Sequence, residues 1–334
     1  MKAVVVTPPG GLNNLQIVER PDPAPGDHEV LVRWHATSLN YHDYLVAIGA
    51  IPVPKGRIPM SDGAGEIVSV GKEVNDWKAG DKVMSMFFPG WVEGIPTFEK
   101  IVAVSGETID GYITEMSCVP ASGVTRMPEG YTFAEAATLP CAGLTAWNGL
   151  MHSGGLISGQ KVLIEGTGGM SLMGLQFAKA AGAKIYATTS SSEKAERLKA
   201  LGCEAVVNYK EDERWGKTIF RKSGGGVDLT LDVGGGSTMG QSIEASKIGG
   251  TIISIGILGD GRKGSITFPK LFFKFINMKG IAVGNRIMQE AMISAIDVSN
   301  IKPNVDKSFS FDQLADAFKY QESGQHFGKI VLEW

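Results

Sequence analysis

The first third of the chain carries short β-branched segments that are separated by glycine and proline. Alternation of apolar and polar positions in such segments is typical of strands with one buried face. One segment with helical spacing, Tyr41–Gly49, interrupts the series. This pattern favours a β-rich, barrel-like domain. Its predicted strands are Ala3–Thr7, Leu15–Glu19, Val30–Ala36, Gly65–Val70, Lys82–Met86 and Ile101–Val104.

After residue 126 the pattern changes, because apolar strand-like runs now alternate with segments of helical spacing. Such alternation requires a parallel sheet that is covered on both faces. We therefore predict an α/β protein in which residues 126–284 form the parallel-sheet domain, residues 1–125 form the β-rich domain, and residues 285–334 return to it. The strands predicted for the parallel sheet are Lys161–Glu165, Lys184–Thr189, Ala205–Asn208, Val227–Asp232, Gly250–Ile255 and Lys279–Val283.

A glycine turn follows the first of these strands and leads directly into a helical pattern. Bare glycines let the backbone approach a pyrophosphate, and the start of a helix offers free N–H groups. The third small position of the fingerprint is Ser171, where glycine or alanine is usual. An ordinary turn is the alternative, but the next strand follows at the distance of a βαβ unit. We expect the cofactor to contact Gly166, Thr167, Gly168, Gly169 and Met170.

The end of the second strand bears on the choice between NAD and NADP. An NAD site places a carboxylate there for the ribose hydroxyls, whereas this chain continues with serines and Lys194. Hydroxyls and an ammonium can hold a 2′-phosphate, so we predict NADP with contacts from Ser190 and Lys194. Ser190 and Glu193 also fit a capping box for the helix that follows.

Composition limits the classes of function. A chain of 334 residues suggests two domains, and its net charge of −3 without a basic tract argues against nucleic acid as a partner. No apolar run is long enough to span a bilayer, and the N-terminus lacks a signal-peptide pattern, so we expect a cytoplasmic protein without a membrane partner. Three scattered cysteines make a disulfide framework improbable.

Several motifs resemble the medium-chain dehydrogenase/reductase superfamily: Gly63–Val68, Trp77–Val83, Leu139–Trp147 and the glycine turn. Within it the chain is most similar to the zinc-free quinone oxidoreductase-like branch. The resemblance implies a GroES-like catalytic domain, a Rossmann domain and a cleft between them. It also implies a homodimer formed by pairing the edge strand Lys279–Val283.

The resemblance also indicates where relatives bind a catalytic zinc. The matching positions are Asn40, Ser61 and Cys141, of which the cysteine alone is a good zinc ligand. We therefore predict no metal. A rearranged site from His42, Asp62 and Cys141 is the alternative, although a histidine beside a helix start is usually solvated.

The missing zinc changes which reaction is favourable. A Lewis acid stabilises charge on one oxygen, whereas conjugated acceptors spread that charge and need only hydrogen-bond donors. We predict hydride transfer from NADPH to a conjugated carbonyl or a quinone. The catalytic donors would be Asn40 and Tyr41, which the resemblance places beside the nicotinamide. The structural alternative is that both residues cap the following helix. An alcohol dehydrogenase and a non-catalytic NADPH-binding sensor or structural protein are the competing functions.

The resemblance assigns further cofactor contacts to Thr145, Tyr209, Gly234, Gly256 and Ile257. Tyrosine at a strand end and glycine in a tight turn have structural explanations as well. An apolar set suggests a hydrophobic substrate, although the same residues are also suited to a core. That set is Tyr44, Ile48, Phe87, Phe88, Trp91 and Phe272.

Overall fold

The computed structural model describes residues 1–258, 264, 266 and 268–334, which divide into two compact units. Unit 1 comprises Met1–Leu144 and Val283–Trp334, and unit 2 comprises Thr145–Ala282. The sequence pattern assigned residues 126–144 to the parallel-sheet domain, whereas the structure groups them with unit 1. The reason is local packing, because Phe133 stacks on His35 with 4.5 Å between ring centroids.

The chain forms fifteen strands and eleven α-helices among the residues that the structure describes. The strands are β1 (Lys2–Val6), β2 (Leu15–Glu19), β3 (Glu29–Ser38), β4 (Ala64–Val70), β5 (Lys82–Ser85), β6 (Met116–Pro120), β7 (Val124–Arg126), β8 (Lys161–Glu165), β9 (Lys184–Thr189), β10 (Ala205–Asn208), β11 (Val227–Asp232), β12 (Ser246–Ser254), β13 (Asn277–Gly280), β14 (Val305–Ser310) and β15 (Lys329–Glu333). The helices are α1 (Tyr41–Ala47), α2 (Phe98–Ile101), α3 (Phe133–Ala137), α4 (Leu144–Trp147), α5 (Gly169–Ala180), α6 (Ser192–Ala200), α7 (Trp215–Lys222), α8 (Met239–Ala245), α9 (Phe268–Phe273), α10 (Arg286–Ser299) and α11 (Leu314–Glu322). Single tight turns of helix lie at Leu12–Asn14, Ala121–Gly123, Gly235–Ser237 and Phe311–Gln313, and wider turns lie at Leu139–Gly143 and Asn148–His152.

Unit 1 is built on a largely antiparallel sheet with the strand order β14-β15-β3-β4-β5-β7, and β6 pairs with β3. Only the β14–β15 pair of this sheet is parallel. Trp34 and Tyr112 pack in its core with 4.6 Å between ring centroids. The predicted strand Ile101–Val104 is wrong, because Phe98, Ile101 and Val102 have helical spacing and α2 forms there.

Unit 2 is built on a parallel sheet with the strand order β10-β9-β8-β11-β12-β13. From β8 the chain builds outward through β9 and β10, and from β11 it builds in the opposite direction. The switch point therefore lies between the carboxyl ends of β8 and β11, where open α/β sheets bind ligands. This arrangement confirms the predicted Rossmann architecture, and among the described residues no helix is long and apolar enough to cross a bilayer.

Candidate active site

The glycine turn after β8 has the geometry that a phosphate site needs. Gly166 has a φ of 77°, in the left-handed region that favours glycine. Its N–H group donates to the carbonyl oxygen of Thr188 over 2.9 Å, so the turn is fixed to β9. A Cβ atom on Gly168 would have no heavy atom within 4 Å. The backbone of this turn is therefore open to a ligand.

Helix α5 begins at this turn without a capping side chain. Gly168 is its N-cap, and its first turn contains no acidic residue. The first backbone bond of the helix joins the N–H group of Leu172 to the carbonyl oxygen of Gly168 over 3.0 Å. The N–H groups of Gly169 and Met170 lie before that bond, at the positive end of the helix dipole. N–H groups in this position are able to bind an anion.

Ser171 explains the departure from the usual fingerprint. Its side chain is buried, and its hydroxyl donates to the carbonyl oxygen of Glu165 over 2.7 Å. The serine thus joins the first turn of α5 to the end of β8 by a hydrogen bond, at the position where glycine normally permits close packing.

The segment after β9 is arranged differently from the predicted capping box. The N-cap of α6 is Ser191, whose hydroxyl accepts from the N–H group of Lys194 over 3.4 Å. Ser190 lies outside the helix and is half-buried. The N–H group of Tyr209 donates to the carbonyl oxygen of Thr189 over 2.9 Å, and 43% of Tyr209 is exposed. Ser190 and Tyr209 thus directly follow the neighbouring strands β9 and β10, and Lys194 lies in the first turn of α6.

The turns after β11 and β12 lie against each other. The N–H group of Leu258 donates to the carbonyl oxygen of Val233 over 2.9 Å. A Cβ atom on Gly256 would meet that same carbonyl oxygen at 2.8 Å. Ile257 is exposed, while Gly234 packs against Thr238. The structure therefore brings these predicted contacts to the carboxyl edge of the sheet, and places Thr145 as a buried residue in the preceding helical run.

In unit 1, Asn40 is the N-cap of α1, and its side chain is fully hydrogen-bonded. The amide nitrogen donates to Oδ2 of Asp62 over 2.8 Å and to Oγ of Ser61 over 3.2 Å. The amide oxygen accepts from Nζ of Lys329 over 2.7 Å. The backbone N–H group of Asn40 donates to Asp43 over 3.0 Å. Both the capping role and a buried polar network are therefore realised at this position.

Lys329 is a member of this network that sequence reasoning did not assign. It is 4% exposed, and its ammonium also donates to the carbonyl oxygen of Leu39 over 2.6 Å. The same ammonium lies 3.6 Å from Oδ2 of Asp62, and Oδ2 accepts from Ser38 over 2.6 Å. Burial raises the pKa of Asp62 to about 6, although the ammonium favours its charged form. The sequence did contain a signal for this role, because Lys329 is a basic residue at the start of the apolar strand β15.

His42 is held between two carboxylates, so its interpretation as a solvated histidine is wrong. Its Nε2 atom lies 2.7 Å from Oε2 of Glu107, and its Nδ1 atom lies 3.5 Å from Oδ1 of Asp43. Burial lowers the pKa of His42, but these two carboxylates outweigh burial and raise it to about 9. At neutral pH the side chain is therefore an imidazolium.

The predicted substrate residues of unit 1 fall into two groups. Phe87, Phe88 and Trp91 are buried and pack on one another, with ring centroids 4.7 and 6.2 Å apart in successive pairs. Tyr41 is 39% exposed, and its ring centroid lies 5.9 Å from that of Tyr44. The hydroxyl of Tyr44 donates to Glu322 over 2.5 Å, and this bond raises the pKa of Tyr44 to about 12. Ile48 is the C-cap of α1 and is half-buried, and Phe272, on α9 of unit 2, is 56% exposed.

The side chains at the positions that match zinc ligands do not form a zinc site. Asn40 and Ser61 are bonded to each other and are neutral, whereas zinc sites use thiolate, imidazole or carboxylate ligands. The rearranged set is not assembled either, since His42 faces Glu107 and Asp43. Within the ranges given above, no three His, Cys, Asp or Glu side chains converge as a metal site would require.

Comparisons with known proteins find family matches in both parts of the chain. The alcohol dehydrogenase GroES-like domain family matches residues 26–129, and the zinc-binding dehydrogenase family matches residues 169–298. A zinc-type alcohol dehydrogenase-like protein of Schizosaccharomyces pombe is 40% identical over 313 residues, which cover 91% of this chain and 90% of the relative. A 2-methylene-furan-3-one reductase of Solanum lycopersicum is 30% identical over 314 residues, covering 92% of this chain and 72% of the relative. The crystal structure of an NAD-dependent alcohol dehydrogenase covers 100% of both chains with a TM-score of 0.91 at 29% identity.

Proposed function

We propose that this chain, which belongs to the medium-chain dehydrogenase/reductase superfamily of oxidoreductases, transfers hydride from NADPH to a conjugated carbonyl compound or a quinone. The observation that carries the proposal is the hydrogen bond between Asn40 and Ser61. It joins two neutral side chains at positions where zinc-dependent relatives have metal ligands. Without a metal ion, neutral hydrogen-bond donors can stabilise an acceptor that spreads its negative charge over several atoms.

The cofactor site is supported by the uncapped start of α5 beside an open glycine turn. NADP is favoured over NAD because β9 ends in two threonines rather than an acid, with Ser190 and Lys194 following. When bound, NADPH supplies the hydride. The N–H groups of Gly169 and Met170 would hold its pyrophosphate, and the segment that contains Lys194 would hold its 2′-phosphate.

Two side chains of unit 1 are assigned roles toward the acceptor. Tyr41 is 39% exposed. Its hydroxyl donates a hydrogen bond to the oxygen that gains charge, and relays the proton from solvent. Asn40 donates to the same oxygen by turning one amide hydrogen away from Ser61. That bond, at 3.2 Å, is longer than the bond to Asp62 at 2.8 Å, so it is the weaker of the two.

The decisive experiment follows oxidation of NADPH with enones, quinones and simple secondary ketones, with and without a chelator, on protein of known metal content. We expect turnover of the conjugated acceptors that the chelator does not reduce. Turnover confined to secondary alcohols or ketones, together with stoichiometric zinc, would overturn the proposal. Tight NADPH binding without turnover of any acceptor would identify a non-catalytic sensor or structural protein instead.

An alcohol dehydrogenase is the second candidate function, because two of the similar proteins carry that description in their names. In this chain it would need hydrogen bonds from Tyr41 and Asn40 to replace a Lewis acid. A chelator-insensitive oxidation of secondary alcohols with NADP would favour this function over the first.

The preference for NADPH has its own test. Lys194→Ala removes a cation from the first turn of α6, whereas Lys199→Ala removes one from its last turn. Lys199 is bonded to Glu196 over 2.7 Å on the surface and serves as the matched control. We expect only the first variant to lower the ratio of NADPH to NADH affinity, by at least tenfold. An unchanged ratio would contradict this assignment of the 2′-phosphate site.

We further propose a homodimer that pairs the edge of the parallel sheet. The edge strand observed is Asn277–Gly280, rather than the predicted Lys279–Val283, and all four of its residues are exposed. Phe272 and Phe273 add exposed apolar surface on the preceding helix of unit 2. Sedimentation equilibrium should give twice the monomer mass, and Met278→Lys should lower the association constant.

A further inference from the structure

Two acidic side chains are buried side by side at the switch point of the parallel sheet. Glu165 is the last residue of β8 and is 3% exposed, and Asp232 is the last residue of β11 and is fully buried. Ser242 of α8, also fully buried, lies between them. Sequence reasoning missed this group, although an acid at the end of an otherwise apolar strand was visible in both segments.

The hydrogen bonds of Ser242 require a shared proton. Its hydroxyl oxygen lies 2.7 Å from Oε1 of Glu165 and 2.7 Å from Oδ2 of Asp232. A serine hydroxyl has one hydrogen, so it can donate to only one of the two carboxyl groups. The other contact is a hydrogen bond only if that carboxyl group is protonated and donates to the serine oxygen. The geometry is therefore that of an acid, a hydroxyl and a carboxylate in series.

The proton belongs on Glu165. Oδ1 of Asp232 accepts from the N–H group of Gly235 and from the hydroxyl of Thr238, both over 2.8 Å, and these bonds favour a charged aspartate. Oε2 of Glu165 accepts a longer bond of 3.3 Å from the N–H group of Val233. Burial and the charge of Asp232 raise the pKa of Glu165 to about 8.

Among the described residues, the elements packed around β8 place no compensating cation at this end of the strand. Asp232 of β11 is the ionisable group that faces Glu165, and α8 presents Ser242. Lys179 of α5 donates to the carbonyl oxygen of Leu201, and Glu244 of α8 pairs with Lys270. Lys161 of β8 and Lys184 of β9 are neighbours in the strand register, and both lie at the opposite end of their strands. A proton is therefore the available means of reducing repulsion between the two acids.

The same pair holds together two turns of the proposed cofactor site. The carbonyl oxygen of Glu165 accepts from Ser171 at the start of α5, while its carboxyl group accepts from the turn after β11. Asp232 fixes that turn through Gly235 and Thr238. We propose that Glu165 is a positioning residue for the dinucleotide, whose neutral acid form holds the turn after β11 against the glycine turn, and that loss of its proton weakens cofactor binding.

This inference rests on the proposed function. In the step, the O–H bond of the Glu165 carboxyl group breaks, the proton passes to solvent, and its electron pair stays on the new carboxylate. Two carboxylates then share one serine hydrogen, and their repulsion separates the turns. If only the protonated form binds, the affinity for NADPH falls by about tenfold for each pH unit above the pKa.

The test measures the dissociation constant of NADPH from about pH 6.5 to about pH 10 for the full-length protein and for Glu165→Gln. Glutamine is neutral, and it can accept from Val233 and donate to Ser242 at every pH. We expect the wild type to weaken above about pH 8 and the variant to retain its affinity. Glu196→Gln, on the surface of the same unit, is the matched control and should behave as the wild type.

Infrared spectroscopy supplies a readout that does not depend on the cofactor or on the folding of the variant. The wild type should show the carbonyl band of a buried, protonated carboxyl group. This band should disappear as the pH rises, with the same midpoint as the loss of NADPH affinity. Parallel loss of affinity in wild type and Glu165→Gln, or absence of the band at neutral pH, would overturn the inference. Failure of NADPH to bind at any pH, with the band present, would count against the proposed function instead.

Discussion

Replacing Lys329 by methionine tests whether the buried ammonium supports the network around Asn40. The substitution keeps most of the side-chain volume but removes the charge and both hydrogen bonds of the ammonium group. The carbonyl oxygen of Leu39 and the amide oxygen of Asn40 each lose the donor that they share in the wild type. Asp62 also loses the Lys329 ammonium, which lies 3.6 Å away and is the only cation near it among the described residues.

The magnitude follows from the distances. Charges 3.6 Å apart attract by about 4–5 kcal/mol at an effective dielectric constant of about 20. In the variant Asp62 takes up a proton, so only part of this energy is lost at neutral pH, and the orphaned acceptors add about 1–3 kcal/mol each. We expect a total loss of about 3–5 kcal/mol in the free energy of unfolding, as for other broken buried pairs.

The pH dependence distinguishes this cause from a simple packing defect. The pKa of Asp62 is already raised from 3.8 to about 6, and loss of the ammonium raises it further. Above about pH 6 the folded variant therefore holds a proton that the unfolded chain has released, whereas the folded wild type does not. The difference in unfolding free energy should widen by about 1.4 kcal/mol per pH unit until the new pKa is reached.

Urea unfolding of the whole chain, followed by circular dichroism at several pH values, measures both quantities. Lys302→Met is the matched control, because Lys302 pairs with Glu135 over 3.0 Å near the surface. It should cost less than about 1 kcal/mol and show no pH trend. Asp62→Asn combined with Lys329→Met should abolish the trend. Equal losses for the two lysine variants, or a constant gap across the pH range, would refute the reasoning.

Two further substitutions test the remaining polar sites. His42→Gln should lower the free energy of unfolding by at most about 3 kcal/mol below about pH 6.5, because the pKa of His42, about 9, lies above the ordinary value of histidine. This loss should shrink as the pH rises through about 9. Urea titrations at low and high pH measure it. Gly168→Asp and Gly168→Asn should both cap α5 and stabilise the protein by a few tenths of a kcal/mol. Only the aspartate should weaken NADPH binding, by more than tenfold in fluorescence titrations, and equal affinities would argue against a phosphate at this turn.

The parallel sheet was the most predictable part of the fold. Its strands Lys161–Glu165, Lys184–Thr189, Ala205–Asn208 and Val227–Asp232 have the bounds that the sequence predicts. The reason is physical, because strands buried on both faces are nearly continuous apolar runs that end abruptly at glycine or polar residues. The edge strand near residue 280 has only one neighbour, and its pattern is correspondingly weaker, so its predicted bounds are displaced.

The polar networks were less predictable because they join distant parts of the chain. Lys329 and Asn40 are 289 positions apart, and no local pattern reports that they meet. The N-cap of α6 illustrates a local failure, since Ser190 and Ser191 are both suitable caps and only the backbone geometry selects Ser191. Residue spacing was thus enough to locate the glycine turn, whereas the hydrogen-bond partners could be identified only from the folded structure.

The two units solve the same electrostatic problem in different ways. Asp62 and Glu165 are both buried acids whose pKa is raised by burial. In unit 1 the ammonium of Lys329 lies close enough to keep Asp62 charged at neutral pH, so the network needs no proton. In unit 2 the group that faces Glu165 is another acid, so the network is complete only while a proton is bound. Alkaline pH should therefore disturb the turns that we propose to bind the nucleotide in unit 2, while it leaves the charge of Asp62 unchanged.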